Sequence, residues 1–166
     1  MIKVLVSSCL LGEPVRYHGG HAPCASDVIE RWKAEGRLVA LCPETMAGLP
    51  VPRPPAEIAG GDGFAVLRGT AYVGDSTGTD VTAMFLKGAR AVLEAAFAQG
   101  VRAAVLKDGS PSCGTTYIFD GSFRGQRDAG QGVTAALLAE AGIRTFSDRQ
   151  IGEAAAYVAE LEAGAV

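Results

Sequence analysis

Residues 80–106 read DVTAMFLKGARAVLEAAFAQGVRAAVL, and the fold class turns on them. Val81, Phe85, Ala89, Val92, Leu93 and Ala96 recur at helical spacing, so they form one apolar stripe on a helix over residues 80–99 that Gly100 ends. VRAAVL follows at once at 101–106, short, apolar and bounded by turn residues, which is the pattern of a buried strand. A helix that runs straight into an apolar strand is half of a strand-helix-strand unit, the unit from which parallel sheets are built.

The same alternation continues in both directions. Residues 2–6 (IKVLV) and 38–41 (LVAL) read as strands. Between them SDVIERWKAEG supplies Ser26 as N-cap, Val28, Ile29 and Trp32 on one face, and Gly36 as the stop. GVTAALLAEAG at 132–142 is a further helix, IRTF at 143–146 a fourth strand, and IGEAAAYVAELEA at 151–163 a closing helix of strong helix formers. The expected architecture is a three-layer α/β sandwich, Rossmann-like, with a mainly parallel sheet, right-handed crossovers and one domain over residues 1–166. Residues 43–79 break this rhythm. The four prolines of LPVPRPPAE predict a fixed surface loop, followed by a hairpin through GFAVLRGTAYVG at 63–74. YIFDGSFRG at 117–125 predicts a second small hairpin turning at Asp120 and Gly121. Glycine supplies 22 of the 166 residues, nearly twice its usual share of about 7%, so many tight turns are expected.

Charge and composition exclude several classes of function. The net charge is -3 with a pI near 5.4 and no Lys/Arg run, so a nucleic-acid partner is not expected and a small-molecule partner is. The apolar start is too short for a signal sequence and no window approaches a membrane span, which predicts a cytoplasmic protein without membrane contact. In that compartment the four cysteines stay reduced, as core residues, metal ligands or reactive thiols. The oligomeric state is not legible in the sequence.

Three of those cysteines occupy equivalent places. Cys9 follows the first strand, Cys42 ends the second, and Cys113 lies just past the strand at 101–106. Ligands of open α/β sheets bind outside the carboxyl ends of the strands, so these thiols are expected to meet although 33 and 71 residues separate them. No CxxC pair is present, so no local zinc or ferredoxin motif supports them. SPSCG at 110–114 resembles a helix start with Ser110 as N-cap and Pro111 at the first helical position, a setting that would lower the Cys113 pKa. In CPE at 42–44 an extended chain would turn Cys42 and Glu44 to the same face, placing a carboxylate beside a thiol. Blander readings stand beside these. Any one cysteine is more often a small core hydrophobe, Ser110 a plain cap, and Glu44 a partner of Arg53. His18 and His21 lie in a Gly-rich loop of no evident role, and Cys24 has the weakest claim of the four cysteines.

VSSCLLGEPVRYHGGH, LCPETMAGLPVPRPPAE, GTDVTAMFLKGA, LKDGSPSCG, YIFDGSFRG and GQGVTAALLAEAGIRTFS together resemble the thiouracil desulfidase family over nearly the whole chain. The resemblance implies a [4Fe-4S] cluster held by three cysteines, matching Cys9, Cys42 and Cys113, with the fourth iron open to the sulfur of a thiolated pyrimidine. It matches the family's active-site glutamate to Glu44 and its active-site serine to Ser110, while Cys24 matches no cluster position. The implied reaction is a non-redox hydrolysis that releases sulfide from a thiolated base or nucleotide, such as thiouracil or 4-thiouridine monophosphate. An open iron makes the cluster oxygen-sensitive, so protein handled in air is expected to lose it. A zinc-thiolate hydrolase and a non-enzymatic sulfur carrier are the alternatives.

Overall fold

The computed structural model describes residues 1–20 and 23–164. β1 (Lys3–Ser7) leads through a single 3-10 turn (Ser8–Leu11) to α1 (Asp27–Ala34) and β2 (Leu38–Leu41). α2 (Pro43–Met46), β3 (Ala56–Ala59), α3 (Gly63–Leu67) and β4 (Tyr72–Asp75) follow, then α4 (Thr82–Ala98) and β5 (Val101–Leu106). β6 (Tyr117–Phe119), β7 (Arg127–Ala129), α5 (Val133–Glu140), β8 (Arg144–Ser147) and α6 (Ile151–Glu162) complete the order.

The main sheet has the order β2-β1-β5-β8 with every neighbouring pair parallel. The middle residues of β1 and β5 are apolar on both faces, as suits a sheet covered on both sides. Val4, Val6, Ala103 and Val105 pack against Ile29 and Trp32 of α1 and Ala154 and Val158 of α6. Leu5, Ala104 and Leu106, one residue out of phase, face Val92 and Ala96 of α4 and Ala135 and Leu138 of α5. The two-residue period of the strands thus divides the core into two layers. The chain steps outward from β1 to β2 on one side and later enters β5 on the other. The strand order therefore reverses at β1, and the carboxyl ends of β2, β1 and β5 lie side by side. Among the described residues no helix is long and apolar enough to cross a membrane.

The fold class and its four strands are those the sequence predicts. The hairpin expected at 63–74 is different. β4 pairs antiparallel with β3, which lies just after the prolines, and GFAVL between them is the short helix α3. The Asp62 side chain accepts the Ala65 N–H at 3.2 Å and starts that helix, a cap that the apolar run alone does not reveal. The hairpin at 117–125 exists as β6 against β7, but its connection spans residues 120–126 instead of a tight turn at Asp120 and Gly121. Asp120 accepts the N–H and hydroxyl of Ser122 at 2.9 and 2.6 Å and so opens a wider loop. Ile58, Val73, Phe85, Ala89, Ile118 and Val133 form a third apolar cluster that seats both hairpins on α4 and α5.

Candidate active site at the carboxyl edge of the sheet

Each of the three strand-end cysteines is positioned by a different local device. Cys9 is buried in the 3-10 turn after β1, which Gly12 closes with φ 93°. Cys42 is the N-cap residue of α2, with Pro43 at the first helical position. The extended CPE expected from sequence is therefore replaced by a helix start, and Glu44 reaches the site from the first turn of α2. Cys113 lies in one isolated turn. Ser110 Oγ accepts the N–H groups of Ser112 and Cys113 at 3.1 and 3.2 Å, and Gly114 N–H donates to the Ser110 carbonyl at 2.9 Å. Ser110 caps as expected, but the turn does not continue into a helix. It is held instead by the amino end of α5, whose N–H groups at Gly132, Val133 and Thr134 donate to the carbonyls of Gly114, Pro111 and Ser112 at 2.8, 2.8 and 2.9 Å. Gly132 is required there, because a Cβ would lie 2.5 Å from the Ser112 carbonyl carbon.

The expected lowering of the Cys113 pKa is also reversed. Burial pushes this thiol far above its ordinary range. A hydrogen bond with Ser7 opposes the shift, while Cys42, Cys9 and Glu44 add to it. Burial likewise pushes Cys9 up to about 11, opposed by Arg16 and assisted by Cys42. Burial and the neighbouring thiols thus both disfavour ionisation of Cys9 and Cys113, and bound metal cations are what reverse such a preference. Among the described residues no three His, Cys, Asp or Glu side chains approach closely enough to hold a single metal ion. Three thiols brought from separate strand ends to one cavity are a soft donor set of the kind that holds iron–sulfur clusters.

Cys9, Cys42, Cys113, Glu44 and Ser110 all line one cavity of ≈ 720 Å³ outside the carboxyl ends of β1, β2 and β5. Glu44 Oε1 accepts from Ser112 Oγ at 3.1 Å, and Ser112 Oγ is 3.0 Å from Ser110 Oγ. Glu44 Oε2 is gripped by Arg53 through Nε at 2.9 Å and through Nη2. The same guanidinium donates to the carbonyls of Pro50 and Val15 at 3.1 and 3.0 Å, tying the proline loop to the loop after the 3-10 turn. The ion pair weighed from sequence as the bland reading of Glu44 thus exists, and the carboxylate still faces the cavity.

Two predicted positions lie apart. Cys24 is half-buried at the edge of the α1/α6 core, and its Sγ points to the Asp148 carbonyl at 3.9 Å. His18 is exposed, accepting the Gly20 N–H on Nδ1 at 3.0 Å with its ring edge-on to Tyr17. His21 lies outside the described residues. Sequence reading missed Ser112 as the link between Ser110 and Glu44, although SPSC contains it. It also missed Asp108, whose only local signal is an Asp-Gly dipeptide after a strand.

Comparison with known proteins bears on this arrangement. The chain is 45% identical over 150 residues to the uncharacterized protein YbbK of Bacillus subtilis, covering 90% of this chain and 98% of that protein. A solved structure of the [4Fe-4S]-dependent thiouracil desulfidase TudS is also 45% identical, superimposing with a TM-score of 0.87 over 96% of this chain and 99% of that one. The family model described as 2-thiouracil desulfurase matches residues 4–150, a span that includes every cavity-lining thiol, and the chain belongs to that family.

Proposed function

We propose that the 166 residues act as one desulfidase domain that converts a thiolated pyrimidine and water into the oxo-pyrimidine and hydrogen sulfide. What supports the reading most is a single observation. Three thiols from adjacent strand ends share a cavity with a carboxylate, in a chain of the 2-thiouracil desulfurase family. Cys9, Cys42 and Cys113 would hold a [4Fe-4S] cluster with one iron free of protein ligands. Bound there, the cluster supplies a Lewis-acidic iron with affinity for the soft sulfur of a thiocarbonyl.

The remaining work belongs to protein groups. With Oε2 held by Arg53 and Oε1 receiving the Ser112 hydroxyl, Glu44 is a fixed carboxylate that takes a proton from a water in the cavity. Ser110 Oγ already accepts two N–H groups, so its own hydroxyl hydrogen is free to donate to Ser112 or to a ring atom of the ligand. Leu41, Val81 and Phe85 add apolar wall to the cavity, which limits water around the reacting carbon. The cavity is roomy enough for a nucleotide as well as a free base, so 4-thiouridine monophosphate stands beside 2-thiouracil as a substrate.

Anaerobic reconstitution with iron and sulfide, followed by sulfide release from both compounds, tests the reading. Brown protein with acid-labile sulfide and turnover is expected. Cys9→Ser, Cys42→Ser and Cys113→Ser each bleach the protein, and Cys24→Ser does not. Glu44→Gln keeps the colour and loses roughly a hundredfold or more in rate. Zinc without iron in active protein, or sulfide binding without turnover, would replace this reading with a zinc hydrolase or a sulfur carrier.

A further inference from the structure

Phe123 combines three features that do not ordinarily occur together. Among the described residues it is the one non-glycine residue with positive φ, at 58°. The residue is 40% exposed, and it belongs to none of the three core clusters. It also lines the cavity that holds the thiols, from the loop between β6 and β7. A bulky residue in the left-handed region persists only where its surroundings hold it there. Here Glu57, in the facing strand β3, accepts the N–H groups of Gly121 and Phe123 on Oε1 at 3.0 and 3.1 Å. Gly121 lies flat on β3, since a Cβ there would sit 2.8 Å from the Ile58 carbonyl oxygen. The loop tip is therefore latched to the scaffold, and the latch holds an apolar ring at the cavity wall.

The neighbouring aromatic rings are already engaged. Arg127 covers the Tyr117 ring with its guanidinium 4.2 Å from the centroid, and Phe119 meets Tyr117 edge-on at 6.0 Å. Among the described residues Phe123 has no aromatic or cationic partner, and unlike Phe85, which is buried in the core, it is exposed. The exposed face of such a ring fits a flat heterocycle, whether a free base or the base of a nucleotide.

We propose that Phe123, latched by Glu57, is the stacking surface for the substrate's pyrimidine ring and sets the preference for flat aromatic thiocarbonyls over aliphatic ones. This deepens the desulfidase reading and rests on it. Stacking of a base on an aromatic side chain is worth on the order of tenfold or more in affinity. The test uses anaerobically reconstituted protein and measures two quantities separately, the 2-thiouracil dissociation constant by equilibrium dialysis and the rate of sulfide release. Phe123→Gly is the informative variant, because it removes the ring and relieves the backbone. It is expected to weaken 2-thiouracil binding about tenfold with the melting temperature unchanged or higher, while Phe123→Tyr restores binding. Glu57→Ala, which frees the loop, is expected to weaken binding in the same direction. Equal affinity in wild type and Phe123→Gly, in an enzyme that turns over, overturns this inference and leaves the desulfidase reading standing. Phe123-dependent binding without sulfide release does the reverse. Failure of wild type to bind 2-thiouracil at all removes both.

Discussion

Asp108 carries a negative charge into the interior and converts it into the shape of the cysteine loop. It is 7% exposed, and its Oδ1 accepts the N–H groups of Gly109, Thr115, Thr116 and Tyr117 at 3.1, 3.0, 3.1 and 3.3 Å. The Thr116 hydroxyl donates to Oδ2. Burial by itself would raise this pKa, but the hydrogen bonds from the Thr116 side chain and from the Thr115, Thr116 and Tyr117 N–H groups prevail and hold it below the usual carboxylate range. A group whose folded pKa is depressed contributes stability above its unfolded value of about 3.9, and that contribution is lost as pH falls through the folded value. Asp108→Asn removes the charge and aims an amide N–H₂ at a donor. It should cost about 2 kcal/mol at pH 7, with the gap to wild type closing as the pH drops below about 4. Urea midpoints over a pH series check this; a gap that stays constant in acid would mean that the carboxylate charge is not what the loop uses. Because the loop carries Cys113, the proposed cluster ligand, this variant should also hold a reconstituted cluster less well. Sequence reading fixed on Cys113 and passed over Asp108, since three of its N–H partners stand seven to nine residues away and become neighbours only once the loop closes.

At the scale of elements, the strands and long helices were legible because each has a period. Phe85, Ala89, Val92 and Ala96 mark the buried stripe of α4, and the alternate residues of β1 and β5 divide between two core layers. The short helices α2 and α3 were not legible, because their existence depends on what they lean on. α3 has five residues and α2 four, too few for a helix to support itself. α2 is held by α4, which approaches it where Gly88 has no side chain: a Cβ there would sit 2.2 Å from the Pro43 carbonyl oxygen. By propensity alone Gly88→Ala would stabilise the middle of α4 by about 1 kcal/mol. The obstacle is backbone and cannot swing aside, so the overpacking cost of about 1–3 kcal/mol should prevail. The expected result is a lower melting temperature, together with a loss of turnover that exceeds the loss of folded protein, since Cys42 and Glu44 move with α2. A stabilised, fully active Gly88→Ala would show that α2 can shift without consequence for the site.

The molecule as a whole places its polar staple and its cavity at opposite edges of the same sheet. At the amino edge the buried Arg37 donates to Glu35 and Glu162 at 2.7 Å each and to the Ile2 carbonyl at 3.2 Å, while Ile2 N–H donates to Glu162 at 3.1 Å. One guanidinium thereby joins the entry to β1, the entry to β2 and the end of α6. The thiols, Glu44 and Ser110 stand at the carboxyl edge, a strand length away, roughly 16 Å for five residues at about 3.3 Å each. Perturbations that far apart without shared partners add, to within about 0.5 kcal/mol. Arg37→Leu should therefore lower the melting temperature by several degrees, since about 1 kcal/mol is worth roughly 2–4 °C in a chain of this size. Metal content and turnover per folded molecule at 25 °C should stay unchanged. Combined with Asp108→Asn, its effect on the urea midpoint should be additive. A double variant markedly less or more stable than the sum, or an Arg37→Leu protein that loses its metal while still folded, would mean that the edges communicate through the sheet. The physical reason to expect otherwise is that Val4, Leu5 and Val6 of β1 and Ala103, Ala104, Val105 and Leu106 of β5, which lie between the two edges, are all apolar and buried, with no polar side chain among them to carry a change from one edge to the other.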